Sequence, residues 1–348
     1  MNKRHFLKSL GFGIVSLGLI PNESFALQSR ENKRALKPSA LKPGDCIGII
    51  APAGAVDSED SILFTREVLE KLGFRVKEGE FIRSRYGNLA GPDEQRISDL
   101  HGMFKDSEVK GILCIRGGTG VSRLLDRIDY DLIAKNPKVF LGYSDITGLL
   151  LAFYHKTGLV SFHGAVGTST WSNYLANKFK EQFFENDLQT FTNPAKKGDT
   201  FITYNDRIRT IHGGIVEGVL MGGNLTLISG LCGSPYLPDF KNTILFVEEV
   251  GEDYGRIDRM FCQLKNAGIL SAIKGFVFGN CTDCSAVSGY GSFNLEQILN
   301  DYIRPLNIPA YTGARIGHLS DQFILPVGVD ARMNADTGTI ELLEPALN

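Results

Sequence analysis

The chain has 348 residues, too many for one small core and in keeping with about two domains. Its 43% hydrophobic and 22% charged residues are the composition of a soluble globular protein with ample apolar material for burial. A net charge of -2, no basic run and a single tryptophan exclude the basic stripe of a nucleic-acid binder.

The first 26 residues differ from the rest. Lys3, Arg4 and Lys8 precede an almost wholly apolar or glycine stretch over 10–20, and Ser24-Phe25-Ala26 puts small residues at both positions a signal peptidase reads. Residues 1–26 therefore read as a signal peptide, with an apolar core too short for a comfortable membrane span; a retained N-terminal anchor is the alternative. Residues 2–8 also resemble the twin-arginine export motif, with Lys3 in place of the first arginine. The expectation is an exported, periplasmic protein with no membrane span after signal removal. Without these residues, which hold three Lys/Arg and one Glu, the net charge becomes -4.

Residues 27–40 are polar and read as a mobile segment. Leu41-Lys42-Pro43-Gly44-Asp45 forms a turn, and the apolar run at 46–52, ended by Pro52, is a buried parallel strand by length and neighbours. Residues 58–72 show helical spacing (Ile62, Leu63, Val68, Leu69, Leu72), Gly73 stands where a C-cap belongs, and Phe74-Arg75-Val76 begins a strand. A second amphipathic helix covers 93–104, with Ile97, Leu100 and Phe104 on one face. A strand at 111–115 leads into Arg116-Gly117-Gly118-Thr119-Gly120 and a helix bearing Val121, Leu124, Leu125 and Ile128. A strand at 139–141 enters Gly142-Tyr143-Ser144-Asp145 and a helix with Leu149, Leu150, Leu151, Phe153 and Tyr154. This alternation predicts an α/β domain over 41–168, a parallel sheet with helices on both faces and functional loops at the strands' C-terminal ends.

Residues 169–199 are polar and break the alternation, reading as the interdomain connection. Residues 200–348 read as a β-rich domain. It has strand-rich stretches with glycine turns at 200–204 and 211–220, strands at 243–249 and 275–278, a short helix at 225–231 behind Met221-Gly222-Gly223-Asn224, and a helix at 256–264. A hairpin over 327–343 turns at Asp336-Thr337-Gly338. Of six cysteines, Cys46 and Cys114 lie in apolar strands as buried thiols. Cys281-Thr282-Asp283-Cys284 reads as a local thiol pair or disulfide before half of a metal site, since no second C-x-x-C or His pair completes one.

Three strand ends carry chemistry: Ser144, then Glu248-Glu249, then His318 in Arg315-Ile316-Gly317-His318. A strand-to-helix corner lifts a serine hydroxyl out of the sheet, and the following residue can offer its backbone N–H. Ser and Asp also favour helix starts, so the corner by itself reads as a helix cap before it reads as a nucleophile. A serine activated by a histidine that a carboxylate orients is the minimal machinery for acyl transfer. Adjacent strand residues face opposite ways, so only one of Glu248 and Glu249 can face a site. The Gly117-Gly118-Thr119-Gly120 loop could cradle a phosphate or oxyanion or be a tight turn; it lacks the spacing of a dinucleotide fingerprint or a P-loop lysine.

Several blocks in this order carry a resemblance. They are Leu41 to Asp45 with Ala51-Pro52-Ala53, the stretch from Leu89-Ala90-Gly91 to Arg96, Arg116-Gly117-Gly118 and Gly142-Tyr143-Ser144-Asp145. They continue with Gly222-Gly223-Asn224-Leu225, Glu248-Glu249 with Arg256-Ile257-Asp258-Arg259, and Gly317-His318 with Pro326-Val327-Gly328. Together, over about residues 38 to 345, they resemble the LD-carboxypeptidase family of serine peptidases, which includes murein tetrapeptide carboxypeptidases and microcin-immunity relatives. The resemblance implies a Ser144–Glu248–His318 triad, Glu248 being the first of the acidic pair, and an oxyanion hole from the N–H groups of Gly118 and Asp145. It implies an N-terminal sheet domain like class I glutamine amidotransferases, flavodoxin-like in type, a smaller β-rich C-terminal domain, and a homodimer. Thr119 departs from the tyrosine usual in relatives, and the signal sequence departs from a mostly cytoplasmic family.

The implied activity is release of the terminal D-alanine from a peptidoglycan tetrapeptide stem, with no metal or organic cofactor. Arg116 and Thr119 are the candidates for substrate contact, Arg116 for the terminal carboxylate. One alternative is an immunity-type amidase acting on a peptidyl- or aminoacyl-nucleotide conjugate, with Trp171 or Tyr290 stacking the base. Another is a cell-wall-binding protein with a dead triad.

Overall fold

A computed structural model describes residues 35–194, 207–286 and 291–348. The signal peptide expected over residues 1–26, the expected strand at 200–204 and Tyr290 lie outside the described residues. Apolar runs make the central strands of the first sheet, β1 (Cys46–Ile50), β3 (Val109–Cys114) and β4 (Val139–Gly142), which are joined by the polar, half-exposed edge strand β2 (Arg75–Glu78) and the short buried β5 (Ser161–His163). They pair in parallel in the order β2-β1-β3-β4-β5. The strand order reverses between β1 and β3, the kind of switch point outside which α/β sheets bind ligands.

Helices α1 (Glu59–Lys71), α2 (Asp93–Lys105), α3 (Tyr130–Lys135) and α4 (Thr147–Thr157) fill the crossovers. Phe140 of β4 meets Phe153 of α4 at 5.0 Å between ring centroids and Phe104 of α2 at 6.0 Å, so an aromatic trio ties sheet to helices. Residues 147–153 of α4 are all buried, which is what a helix apolar on nearly every face requires. The helix expected over 121–128 is instead a single 3-10 turn at Val121–Arg123 followed by further turns. A side chain described below accepts the N–H that opens this turn, and the next helix, α3, starts where Asp129 caps Leu132 N–H at 2.9 Å.

The connection after β5 holds α5 (Asn173–Lys180), capped by Ser172, and β6 (Thr190–Phe191). Then follow β7 (Arg209–His212), β8 (Ile215–Asn224), α6 (Leu225–Gly230), β9 (Thr243–Val250), α7 (Tyr254–Asn266), α8 (Ile269–Ala272), β10 (Gly275–Thr282), α9 (Leu295–Tyr302) and β11 (Ala310–Thr312). The chain closes with β12 (Leu325–Val327), β13 (Val329–Asn334) and β14 (Thr339–Leu342). The second sheet runs β6-β14-β13-β8-β9-β10-β11-β7, with β8 to β11 parallel and the outer strands antiparallel. The hairpin turned at Asp336-Thr337-Gly338 is β13–β14.

Two connections escape the sequence pattern. β12 leaves the second half of the chain and pairs antiparallel with β5, Leu325 opposite His163, completing the first sheet. Residues 35–40, expected to be mobile, are pinned: Leu36 N–H donates to Gly158 O at 2.8 Å, Val160 N–H to Leu36 O at 2.9 Å, and Ala40 N–H to Asn348 O at 3.0 Å. Polar composition does not report such backbone pairing. Buried side chains of both sheets form one contiguous core.

Candidate active site

The corner after β4 is sharp. Ser144 adopts φ 63°, a left-handed conformation that costs a non-glycine residue about 1–2 kcal/mol and that clusters at functional positions. No side chain caps the turn at 144–146 or α4, so the helix-cap reading of Asp145 is corrected. The buried Asp145 carboxylate accepts the N–H of Val121 at 2.9 Å, tying the glycine loop to the serine corner. Burial pushes this carboxyl above its usual range, partly offset by the Val121 N–H and the charge of Arg96. Its side chain is committed to the scaffold, and its backbone N–H stands in the first turn after Ser144.

Gly117 explains the glycines of the loop. A Cβ there would sit 2.8 Å from Ser144 Cβ and 3.1 Å from its Oγ, so any side chain would press on the serine. Gly117 O also accepts the N–H of Gly54 at 3.2 Å, joining the loops after β1 and β3. Beneath both lies Arg96, 2% exposed, whose Nη1 donates to Pro52 O at 2.7 Å and Gly120 O at 3.0 Å while Nη2 pairs with Asp93. Asp93 also takes Arg123 at 3.0 Å; that hydrogen bond, opposed by burial and helped by Arg96, holds its carboxyl below the usual range. Arg96 lies in a block singled out from the sequence without a role. The structure makes it the clamp on two strand-end loops, a role that no spacing rule announces.

The two substrate candidates lie on the same loop. Arg116 donates Nη1 to Ala55 O at 3.1 Å and pairs with the exposed Asp57. Thr119 Oγ1 accepts from Asn88 Nδ2 at 2.6 Å. Trp171, the stacking candidate, donates its indole N–H towards Val166 O at 3.2 Å and packs on Phe179 at 5.7 Å, so it is tied into the scaffold.

At the end of β9 the acidic pair splits as alternation requires. Glu249 turns to the β8–α6 corner, where its oxygens accept Asn224 Nδ2 at 3.0 Å and the N–H and hydroxyl of Thr226, each at 2.8 Å. Glu248 is fully buried and its Oε2 lies 2.8 Å from His318 Nδ1. A carboxylate can only accept, so Nδ1 carries the proton and Nε2 keeps its lone pair, the tautomer of a general base. Burial alone would push the Glu248 carboxyl up, but the imidazoles of His163 and His318 outweigh it and hold the group down at about 2.

His318 hangs on a glycine turn. Gly317 has φ 111°, and a Cβ there would fall 2.7 Å from Glu248 Oε2, so only glycine lets the histidine loop approach the carboxylate. Thr282 Oγ1 donates to His318 O at 3.0 Å from inside the Cys281–Cys284 disulfide loop, the pairing left open against a metal half-site from sequence. The His318 ring packs, tilted by 56°, with its centroid 4.7 Å from that of Tyr143, the residue before Ser144. The side chain stays 21% exposed, enough to meet a substrate. A further tie joins the sheets: Asn224 N–H donates to Thr147 Oγ1 at 3.0 Å. The structure thus draws the ends of β4, β8 and β9 and the loop before β12 together. Arg96, Thr147, Asn224 and His163 are the participants that sequence reasoning did not assign.

Comparison with known proteins bears on this arrangement. The chain matches the LD-carboxypeptidase N-terminal domain over residues 47–164 and the LD-carboxypeptidase C-terminal domain over 217–333. It is 39% identical over 306 residues to a probable murein peptide carboxypeptidase of Bacillus subtilis, covering 86% of this chain and 91% of that protein. It is 27% identical to the microcin C7 self-immunity protein MccF of Escherichia coli, over 90% of this chain and 97% of that protein. The wild-type apo structure of MccF superposes with a TM-score of 0.82 at 25% identity, covering 90% and 100% of the two chains. A muramoyltetrapeptide carboxypeptidase from Oxalobacter formigenes superposes with a TM-score of 0.73 at 30% identity, covering 85% and 97%. The histidine–carboxylate pair beside a strained serine corner, on a two-sheet α/β fold, therefore sits in a chain that belongs to the LD-carboxypeptidase family of serine peptidases.

Proposed function

We propose that this protein is a serine-type LD-carboxypeptidase that removes the terminal D-alanine from peptidoglycan tetrapeptide stems. The 2.8 Å contact between Glu248 and His318, with the histidine ring against the residue preceding Ser144, is the observation that carries the reading. In the proposed mechanism His318 Nε2 takes the Ser144 proton as Oγ attacks the carbonyl between the diamino acid and D-alanine. The backbone N–H groups of Gly118 and Asp145 hold the oxyanion, each donor contributing roughly 3 kcal/mol. The C–N bond breaks as His318 returns the proton to the leaving amine. Water, deprotonated by the same imidazole, then frees the tripeptide from the serine ester. Glu248 keeps His318 in its Nδ1–H tautomer and stabilises the imidazolium.

Arg116 is proposed to exchange Asp57 for the substrate's terminal carboxylate, with Thr119 beside it. Residues 1–26 are proposed to export the protein to the periplasm, where stems are at hand. A homodimer and a division into units at 41–168, 169–199 and 200–348 remain part of the proposal.

Mass spectrometry of a muropeptide digest tests the reaction. The expected result is loss of D-alanine from tetrapeptide, absent with Ser144→Ala; no loss, or loss that survives Ser144→Ala, refutes it. The likeness to MccF, which has been solved in complex with aspartyl sulfamoyl adenosine, favours a second reading, cleavage of a peptidyl- or aminoacyl-nucleotide conjugate. Preferential turnover of such a conjugate over tetrapeptide in the same assay decides for it. Silence of Ser144 towards a fluorophosphonate probe favours a wall-binding protein with a dead triad.

A further inference from the structure

Glu248 has two oxygens, and the mechanism uses one. Oε2 accepts from His318, while Oε1 is buried and without a hydrogen-bond partner among the described residues. Facing it at 3.8 Å is Nε2 of His163, a second histidine of the protein and one with no exposure at all. Neither ring nitrogen of His163 is within hydrogen-bond distance of a partner among the described residues. A buried donor and a buried acceptor that each lack a partner cost free energy until they meet, and a shift of less than about 1 Å brings these two into hydrogen-bond range.

The surroundings leave His163 little other purpose. It sits at the end of β5 between Gly142 of β4 and Leu325 of β12. Its ring meets Phe246 at 5.4 Å and Tyr143 at 6.0 Å, both edge-on. Phenylalanine would make those ring contacts without burying two polar nitrogens. The ionisable groups around the pair are Glu248 from β9, Tyr143 from the serine corner and His318 from the loop before β12. Glu249 is turned away to Asn224 and Thr226.

We propose that His163 is a positioning residue for the catalytic pair, its Nε2–H donating to Glu248 Oε1 and so fixing the carboxylate rotamer that presents Oε2 to His318. The inference rests on Glu248 acting as the orienting carboxylate. Its consequence is electrostatic as well as geometric. A carboxylate with a donor on each oxygen is a weaker base than one with a single donor, so it draws less on the proton of its partner imidazole.

The test compares His163→Phe, which keeps the ring packing and removes the donor, with His163→Gln, whose amide Nε2 reaches about as far as the imidazole Nε2. For His163→Phe the acid limb of the kcat/KM profile for D-alanine release is expected to move up by about half a pH unit or more. For His163→Gln it should stay near the wild-type position. Profiles unmoved in both variants, with kcat falling only in step with the active fraction titrated by a fluorophosphonate, overturn the proposal. Nitrogen-15 histidine NMR on the wild-type protein covers the case in which neither variant folds: a neutral ring protonated on Nε2 supports the inference and protonation on Nδ1 alone overturns it. Glu248→Gln, measured alongside, separates the two readings. Full activity in that variant sinks the triad, whereas lost activity with an unmoved His163→Phe profile sinks only the role of His163.

Discussion

Gly117→Ala isolates the steric argument for the site. The added Cβ would lie 2.8 Å from Ser144 Cβ, 3.1 Å from its Oγ and 3.3 Å from Tyr143 O. Carbon atoms in ordinary contact sit about 3.5–4.0 Å apart, so relief requires a displacement on the order of 0.7–1 Å. A change of serine rotamer cannot supply it, because Cβ does not move with χ1. The backbone resists as well: Ser144 is already at φ 63°, and the next residue is anchored through its carboxylate to Val121 N–H at 2.9 Å. Since a misplacement of about 1 Å at a reacting atom costs about 100-fold, kcat/KM for D-alanine release should fall by about that factor. The overpacking should cost roughly 1–2 kcal/mol of stability, leaving a folded protein. Steady-state kinetics on tetrapeptide and a urea titration measure the two effects, and the rate of Ser144 labelling by a fluorophosphonate should fall with kcat/KM. A folded variant within about fivefold of wild type in kcat/KM would refute the reasoning.

Two further outcomes follow from the same geometry. Ser144→Gly and Ser144→Ala should both be inactive, but the glycine variant should be the more stable by about 1 kcal/mol, because only glycine relieves the left-handed φ. Thermal unfolding that finds the alanine variant equal or better would show that the corner is not strained. Asp99, buried on α2, accepts Phe81 N–H at 3.1 Å, and burial, partly offset by that bond and by Glu80 N–H, pushes its carboxyl up to about 6 from 3.8. The folded state thus keeps a proton that the unfolded chain releases. The stability this brings is complete below about pH 3.8 and is lost as pH rises through about 6, on the order of 2 kcal/mol. Urea midpoints between pH 4 and 7 should decline less for Asp99→Asn than for wild type; parallel declines would contradict the assignment.

Local patterns in the sequence made legible the strands with continuous apolar runs, the amphipathic helices at 58–72 and 93–104 and the hairpin at 327–343, and they pointed to Ser144, Glu248 and His318 as candidates. These are local signals: a period of two or 3.6, a glycine at a turn, a polar residue at the end of an apolar run. Even the choice within the acidic pair followed from strand alternation and resemblance. The rest depended on contacts between residues far apart in the chain, which no local pattern encodes. The apolar spacing at 121–128 promised a helix, yet the segment folded as a 3-10 turn and further turns, with its first N–H held by Asp145. Asp145 looked like a helix cap until its carboxylate found that partner 24 residues away. Three-residue β12 carried too little periodicity to be read, and its place beside β5 is a matter of topology. Arg96 and His163 needed the fold most. A charge or an imidazole in a sequence says nothing of its burial, and burial is what turns Arg96 into a clamp on two loops and sets His163 against the far oxygen of Glu248.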